Sequence, residues 1–200
     1  MKRQFILFLF STSFLMSCGQ TKRLSEEDYK WMPYKGNETL VFTSNTGDTD
    51  TIFLLKKDTL IAYAEPQAVN GIKYEVVSIF CKHSDPYMPG GKHRYLKNKF
   101  FKVEKAEDNR TGINILLSAK DANFYRLSPI KTDSLSKENP STLQTQYGQY
   151  DDVYIINAED YLGSFSQRSN FITKVYWSKS NGLIRYDKKD TVYWELAKKW

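Results

Sequence analysis

At 200 residues the chain is long enough for one domain with a core of its own, and two would have to be very small. With 40% hydrophobic and 26% charged residues it is too apolar for a disordered chain, and a net charge of +6 is too mild to argue for a nucleic-acid partner. Two cysteines, Cys18 and Cys81, exclude a disulfide framework, while fourteen Tyr and twelve Phe lean the composition toward half-buried pleated surfaces.

In chain order, Lys2 and Arg3 precede the apolar run from Phe5 to Phe10, which Phe14 to Met16 extend after a Ser-Thr-Ser break. The run is shorter than the roughly 20 residues a spanning helix needs and has the size of a signal-peptide core. It ends in Leu15-Met16-Ser17-Cys18, which resembles the lipobox of bacterial lipoproteins: a leucine three places before the cysteine and a small residue directly ahead of it. The resemblance implies cleavage after Ser17, a diacylglyceryl thioether on Cys18 and acylation of its new amine. Several acyl chains hold firmly, since each buried CH₂ contributes about 0.8 kcal/mol. Gly19-Gln20 places no Asp beside the cysteine, and the sorting rule of enteric bacteria then points to the outer membrane, on either face. Loss of Lys2 and Arg3 lowers the net charge from +6 to +4, a bias suited to an anionic surface. A lipidated Cys18 would leave Cys81 with no partner inside the chain, so stability is expected from burial and hydrogen bonds.

Residues 18–35 read as a polar tether that lets the domain clear the membrane. Ser25 with Asp28 fits a capping pattern, which predicts one helical turn within Ser25 to Trp31, and Trp31, Met32 and Tyr34 are expected to dock on the domain. From 36 to 200 the signals are those of strands. Glu38–Ser44 and Thr49–Lys56 flank the turn Asn45–Asp48; Leu60–Ala64 follows Lys57-Asp58 as a separate strand. Ile72–Lys82 places Ile72, Tyr74, Val76 and Phe80 on one face, with Ser78 breaking the pattern. Phe100–Lys105, Ile113–Ser118, Val153–Ala158 and Phe171–Lys179 are further strands. Asn181-Gly182 predicts a two-residue hairpin loop with positive φ twice, and Thr191–Leu196 closes the series. Residues 128–147, with Pro129, Pro140 and many Ser and Thr, show no period and read as a disordered loop or a flap.

No 3.6-residue apolar period lasts three turns, and no fixed-length repeat occurs. The expected fold is all-β: a mostly antiparallel sandwich, barrel or strongly curved meander sheet of about ten to twelve short strands with little helix. The pieces Trp31-Met32-Pro33-Tyr34, Asn37–Phe42 and Ser180–Ile184 resemble segments of small bacterial lipoproteins of unknown function, and that resemblance brings no catalytic residues with it.

The motifs of serine hydrolases, zinc proteases, thiol redox proteins and phosphate loops do not occur. The pairs Asp151-Asp152 and Glu159-Asp160 read as solvated strand ends. Cys81, His83 and His93 are weak metal candidates, with Asp85 beside them. Cys81 and His83 share a strand face, and zinc accepts thiolate and imidazole. No recognised ligand spacing is matched, so a buried Cys81 and two solvated histidines are expected, with no cofactor. The stretch from Lys92 to Lys102 mixes basic and aromatic residues. Lys92, Arg94, Lys97 and Lys99 are candidates for meeting an anionic glycan or lipid headgroup, although the reading to be preferred is a basic loop entering a strand whose polar face carries lysines. An envelope location argues against nucleic acid. Asp133-Ser134-Leu135, in the 128–147 stretch, is a candidate for glycosylation on Ser134.

These readings predict an anchored, non-catalytic binding or scaffold domain with an envelope protein, glycan or lipid as partner. A carrier or chaperone for an apolar ligand cupped by the sheet, and an envelope hydrolase, are the alternatives.

Overall fold

The computed structural model describes residues 20–63, 71–83, 98–119, 122–160, 163–169 and 171–200. The stretch read as a signal peptide, residues 1–17, and Cys18 therefore lie outside the described residues. Strands dominate: β1 (Thr21–Lys22), β2 (Thr39–Ser44), β3 (Thr49–Tyr63), β4 (Lys73–His83), β5 (Asn98–Lys105), β6 (Thr111–Ile115), β7 (Ser118–Ala119), β8 (Ala122–Asn123), β9 (Ile130–Lys131), β10 (Ser141–Gln144), β11 (Gln149–Asn157), β12 (Ile172–Ser178), β13 (Gly182–Lys188) and β14 (Tyr193–Lys199). Two single-turn helices, α1 (Glu26–Tyr29) and α2 (Thr132–Leu135), interrupt them.

Eleven strands form one continuous path, β10-β11-β12-β13-β14-β2-β3-β4-β5-β6-β9, with β1 added in parallel beside β4 and β7-β8 as a separate ribbon. The sheet is mostly antiparallel and strongly curled into a half-barrel. Two meanders, β2 to β6 and β10 to β14, are stitched where β14 pairs with β2 through Trp194–Ser44 and Leu196–Phe42. The edge strands β9 and β10 are consecutive in the chain and are linked through α2 rather than by hydrogen bonds. Register shifts at Leu54/Lys56, Ile79/Phe80, Tyr176/Trp177 and Leu196/Lys198 add local twist, the usual means of bending a sheet.

The core lies inside the curl. One buried row runs across four strands, from Val77 to Val103, Ile113 and Ile130. The N-terminal segment fills the centre. Tyr34 meets Phe100, Phe101 and Trp177 edge-on at 5.6, 6.2 and 5.8 Å, and Phe101 stacks on Trp177 at 4.3 Å. The Leu183 amide donates to the Tyr34 hydroxyl at 2.8 Å. Gly182 permits this contact, because a Cβ there would overlap the Tyr34 ring and its φ is +89°.

Several sequence expectations change here. Of the stretch read as a tether, residues 21–34 belong to the domain: β1 pairs with β4, and Leu24, Trp31, Met32 and Tyr34 are buried. The apolar side chains at 24, 31, 32 and 34 outweigh the charged residues between them, of which Glu26, Glu27 and Lys30 face water. The expected helical turn is present as α1, where the Asp28 amide donates to Ser25 Oγ and the Ser25 amide to Asp28 Oδ2. Residues 128–147 carry β9, α2 and β10, elements of two to four residues, too short for any period to show. The two strands expected within 49–64 are one, β3, which runs through Lys57-Asp58 with a register shift near Leu55. On β4 the core face is Glu75, Val77, Ile79 and Cys81, and Tyr74, Val76 and Phe80 point the other way. A strand apolar on both faces gives no alternation to choose by. The Asn-Gly hairpin closes over Lys179-Ser180-Asn181, since Ser178 pairs with Gly182, and of the expected Asn181-Gly182 pair only Gly182 has positive φ.

Candidate functional site

The site candidates gather where the N-terminal segment meets β4. Gln20 accepts from the Lys73 amide at 2.9 Å, and Thr21 and Lys22 pair with Lys73 and Tyr74. β1 finds this place because β5 pairs with β4 only from Val76 onward, which leaves the first residues of β4 without a strand there. Glu75, buried on β4, accepts from the Leu24 amide at 2.9 Å and from the Tyr29 hydroxyl at 2.8 Å. Lys105 reaches Asp28 at 2.8 Å and Thr111 at 3.0 Å, an ion pair largely withdrawn from water. Burial raises the Asp28 pKa, but hydrogen bonds from Lys105, Thr111 and Ser25 outweigh it and hold the carboxyl down at about 2. Together these contacts clasp α1 to the sheet.

On the outer face, away from the core row, lies a pocket of about 320 Å³. Ala62, Tyr74, Val76, Gly112 and Pro129 give it apolar walls. The register explains the grouping: Ala62 pairs with Tyr74, Val76 with Glu104, and Glu104 with Gly112, so these residues share one face across β3 to β6. Gly112 matters because a Cβ there would press on Pro129. The polar groups are held by one another: Lys102 and Asn114 both bind the Glu104 carboxylate at 2.7 Å, and Lys131 pairs with Asp108 at 3.0 Å. Lys22 sits over the Tyr74 ring at 5.9 Å and donates to the Glu107 carbonyl at 2.7 Å, which joins the pocket to the start of the chain.

The residues singled out in the sequence do not converge. Lys92, His93, Arg94 and Lys97 lie outside the described residues, as does Cys18. Lys99 is exposed on β5, paired with Phe80. Cys81 is buried at 2% exposure opposite Leu54 on the core face, and His83 ends the same strand. Burial first, and the charge of Asp50 second, push the Cys81 thiol up to about 12. A thiol so held stays protonated at neutral pH, which makes it a poor nucleophile. Among the described residues no three His, Cys, Asp or Glu side chains gather as a metal site. The carboxylate pairs are structural: Asp152 accepts from the Ser178 hydroxyl and the Ser180 amide, Asp160 accepts from the amides of Phe165 and Ser166, and Glu159 pairs with Arg126. Ser134 lies exposed on α2 rather than in a loop.

Cupping an apolar ligand in the curl would require a cavity there, and Trp31, Met32, Tyr34 and the aromatic residues around them occupy that space. Sequence reading missed the pocket because its walls come from five strands. The one local sign was the apolar outer row of β4. Among the described residues no helix is long and apolar enough to cross a membrane. In comparisons with known proteins the chain matches no family model, no curated protein and no solved structure.

Proposed function

We propose that the chain is an envelope lipoprotein, held in the bacterial outer membrane by acyl chains on Cys18, and that its β domain is a non-catalytic binding or scaffold module. The lipobox-like Leu15-Met16-Ser17-Cys18 supports the anchor. The observation that carries the binding reading is the placement of the pocket. The domain fills its interior with its own side chains yet keeps about 320 Å³ open on its outer face, beside the strand that leads toward Cys18. That volume falls at the lower end of small-ligand sites, roughly 300–1,000 Å³. Its apolar walls, and polar groups already bound to each other, suit an apolar group inserted by an envelope protein, glycan or lipid.

Growth with radiolabelled palmitate tests the anchor. The wild-type protein should take up label and sediment with membranes, and the Cys18→Ser variant should do neither. An unlabelled, soluble wild-type product overturns the anchor. Crosslinking in intact cells tests the pocket. Val76→Arg, which would fill it, should abolish the crosslinked species seen with wild type, and an unchanged pattern removes the pocket from the function.

A further inference from the structure

If Cys18 carries the lipid, as proposed above, almost no chain separates the lipid from the folded domain. Gln20 is already bonded to Lys73, and the strand begins at Thr21. Two residue steps link Cys18 to Gln20, so their Cα atoms are at most about 7 Å apart at 3.3–3.6 Å per residue. The headgroup layer on each side of a bilayer is itself about 5–8 Å thick. A cysteine whose sulfur carries a diacylglyceryl group sits at the base of that layer. The part of the domain around Gln20 therefore cannot stand clear of the headgroups.

The residues there have the composition such a position asks for. β2 pairs with β3 only as far as Phe53, so the outer half of β3 pairs with β4 alone and forms an arm whose end lies beside β1. Leu60 is 60% exposed, Ile61 38% and Ile72 37%. Leu60 lies on the outer face, across from Val76, and Ile61 on the opposite face, across from Glu75, so the arm shows apolar side chains on both sides. Lys22, Arg23 and Lys73 add positive charge, and Lys73 lies over the Tyr63 ring at 5.1 Å. Of the acidic groups close by among the described residues, Glu75 is buried and taken up by Leu24 and Tyr29, Asp58 is exposed but paired with Lys56 at 3.2 Å, and Glu107 is exposed. Exposed aliphatic residues among Tyr and Lys are what a protein presents to a membrane interface, where rings and ammonium groups sit at headgroup level.

We infer that the end of the β3–β4 arm, together with β1, is a membrane-docking face that rests among the anionic headgroups of the bilayer holding the Cys18 acyl chains. Leu60, Ile61 and Ile72 reach toward the acyl boundary, and Lys22, Arg23 and Lys73 meet lipid phosphates. The domain is thereby held in one orientation, with no freedom to swing on a tether.

The test uses the full lipidated chain in phosphatidylglycerol-containing vesicles, with acylation of Cys18 first confirmed by mass spectrometry. Leu60→Cys and Ile155→Cys are each labelled with an environment-sensitive fluorophore. Cys18 is blocked as a thioether and Cys81 is buried, so the label reports the chosen position; Ile155 is an exposed control on β11. Lipids bearing a headgroup nitroxide should quench most of the emission at position 60 and little at position 155. Hydrogen exchange of the unaltered protein is the second measurement: residues 58–63 and 72–75 should exchange more slowly in vesicles than in detergent micelles. Equal quenching at the two positions, or unchanged exchange in the arm, overturns the docking face and leaves the anchor standing. A Cys18 without acyl chains overturns both.

Discussion

Tyr34 and Leu60 mark two regions that treat apolar surface in opposite ways. At the centre of the curl, Tyr34 is fully enclosed, its ring among Phe100, Phe101 and Trp177 and its hydroxyl bonded to the Leu183 amide. On the arm, Leu60, Ile61 and Ile72 stay exposed at 60%, 38% and 37%. The domain has the means to bury large side chains, since it closes its own interior with Leu24, Trp31, Met32 and Tyr34 of its N-terminal segment. Apolar surface left open at the arm is then surplus to folding. Scattered exposed leucines need no explanation, but a cluster beside β1, close to the proposed anchor, is a candidate contact.

Changes at the centre should break the fold. Tyr34→Ala removes the most enclosed ring of the N-terminal segment and should cost about 3–5 kcal/mol in urea unfolding. A cost near zero would mean that residues 24–35 are not integral to the domain. Tyr34→Phe keeps the ring and strips the Leu183 amide of its partner, for about 1–2 kcal/mol. Gly182→Ala should come close to the first figure, at about 2–4 kcal/mol, because it combines positive φ with overlap on the Tyr34 ring. The double variant Gly182→Ala with Tyr34→Ala should then cost less than the two separately, since the overlap is gone.

The clasp around α1 should give smaller effects and join the two regions. Glu75→Ala leaves the Leu24 amide and the Tyr29 hydroxyl unpaired, at about 2 kcal/mol, and should speed hydrogen exchange at Leu24 before exchange at β12 or β13 changes. The Asp28 carboxyl is held at about 2 in the folded chain against an ordinary 3.8. The folded state thus binds that proton more weakly than the unfolded state. The stabilisation is complete above about pH 4 and is lost as pH falls through 2. With solvent screening allowed for, it amounts to about 1–2 kcal/mol. Asp28→Asn should remove that part of the acid sensitivity, as seen in unfolding midpoints between pH 4 and pH 2.

Much of the scaffold was legible in the sequence, and the reasons differ by element. Alternation in Ile113, Ile115 and Leu117, and in Trp194 and Leu196, identified half-buried strands whose inward residues are indeed buried. Ser25 and Asp28 announced α1 because a capping box is a local bond between near neighbours. What failed was non-local. β4 is apolar on both faces, so its inward row depends on β5 and β6, which no window along β4 contains. The stretch 18–35 looked like a tether because its charges are contiguous, whereas its docking rests on separated apolar residues and on Glu75, far along the chain. The pocket was illegible for the same reason, since the pairing of Val76, Glu104 and Gly112 is a fact of register.

The smallest expected effect on stability sharpens the contrast most. Leu60→Asp alters a side chain that is 60% exposed and has no part in the core. In detergent solution its unfolding free energy should stay within about 0.5 kcal/mol of wild type, the range for surface changes. On anionic vesicles the same substitution, under the proposed docking, would place a carboxylate at the acyl boundary beneath the lipid phosphates, so slowing of exchange in residues 58–63 should be lost although the protein stays folded and keeps any acylation of Cys18. A variant destabilised in detergent would instead make Leu60 a structural residue, and the arm would then differ from the centre only in degree. A variant unchanged in both settings would show that the arm meets water, and that the exposed aliphatic cluster serves neither folding nor the membrane.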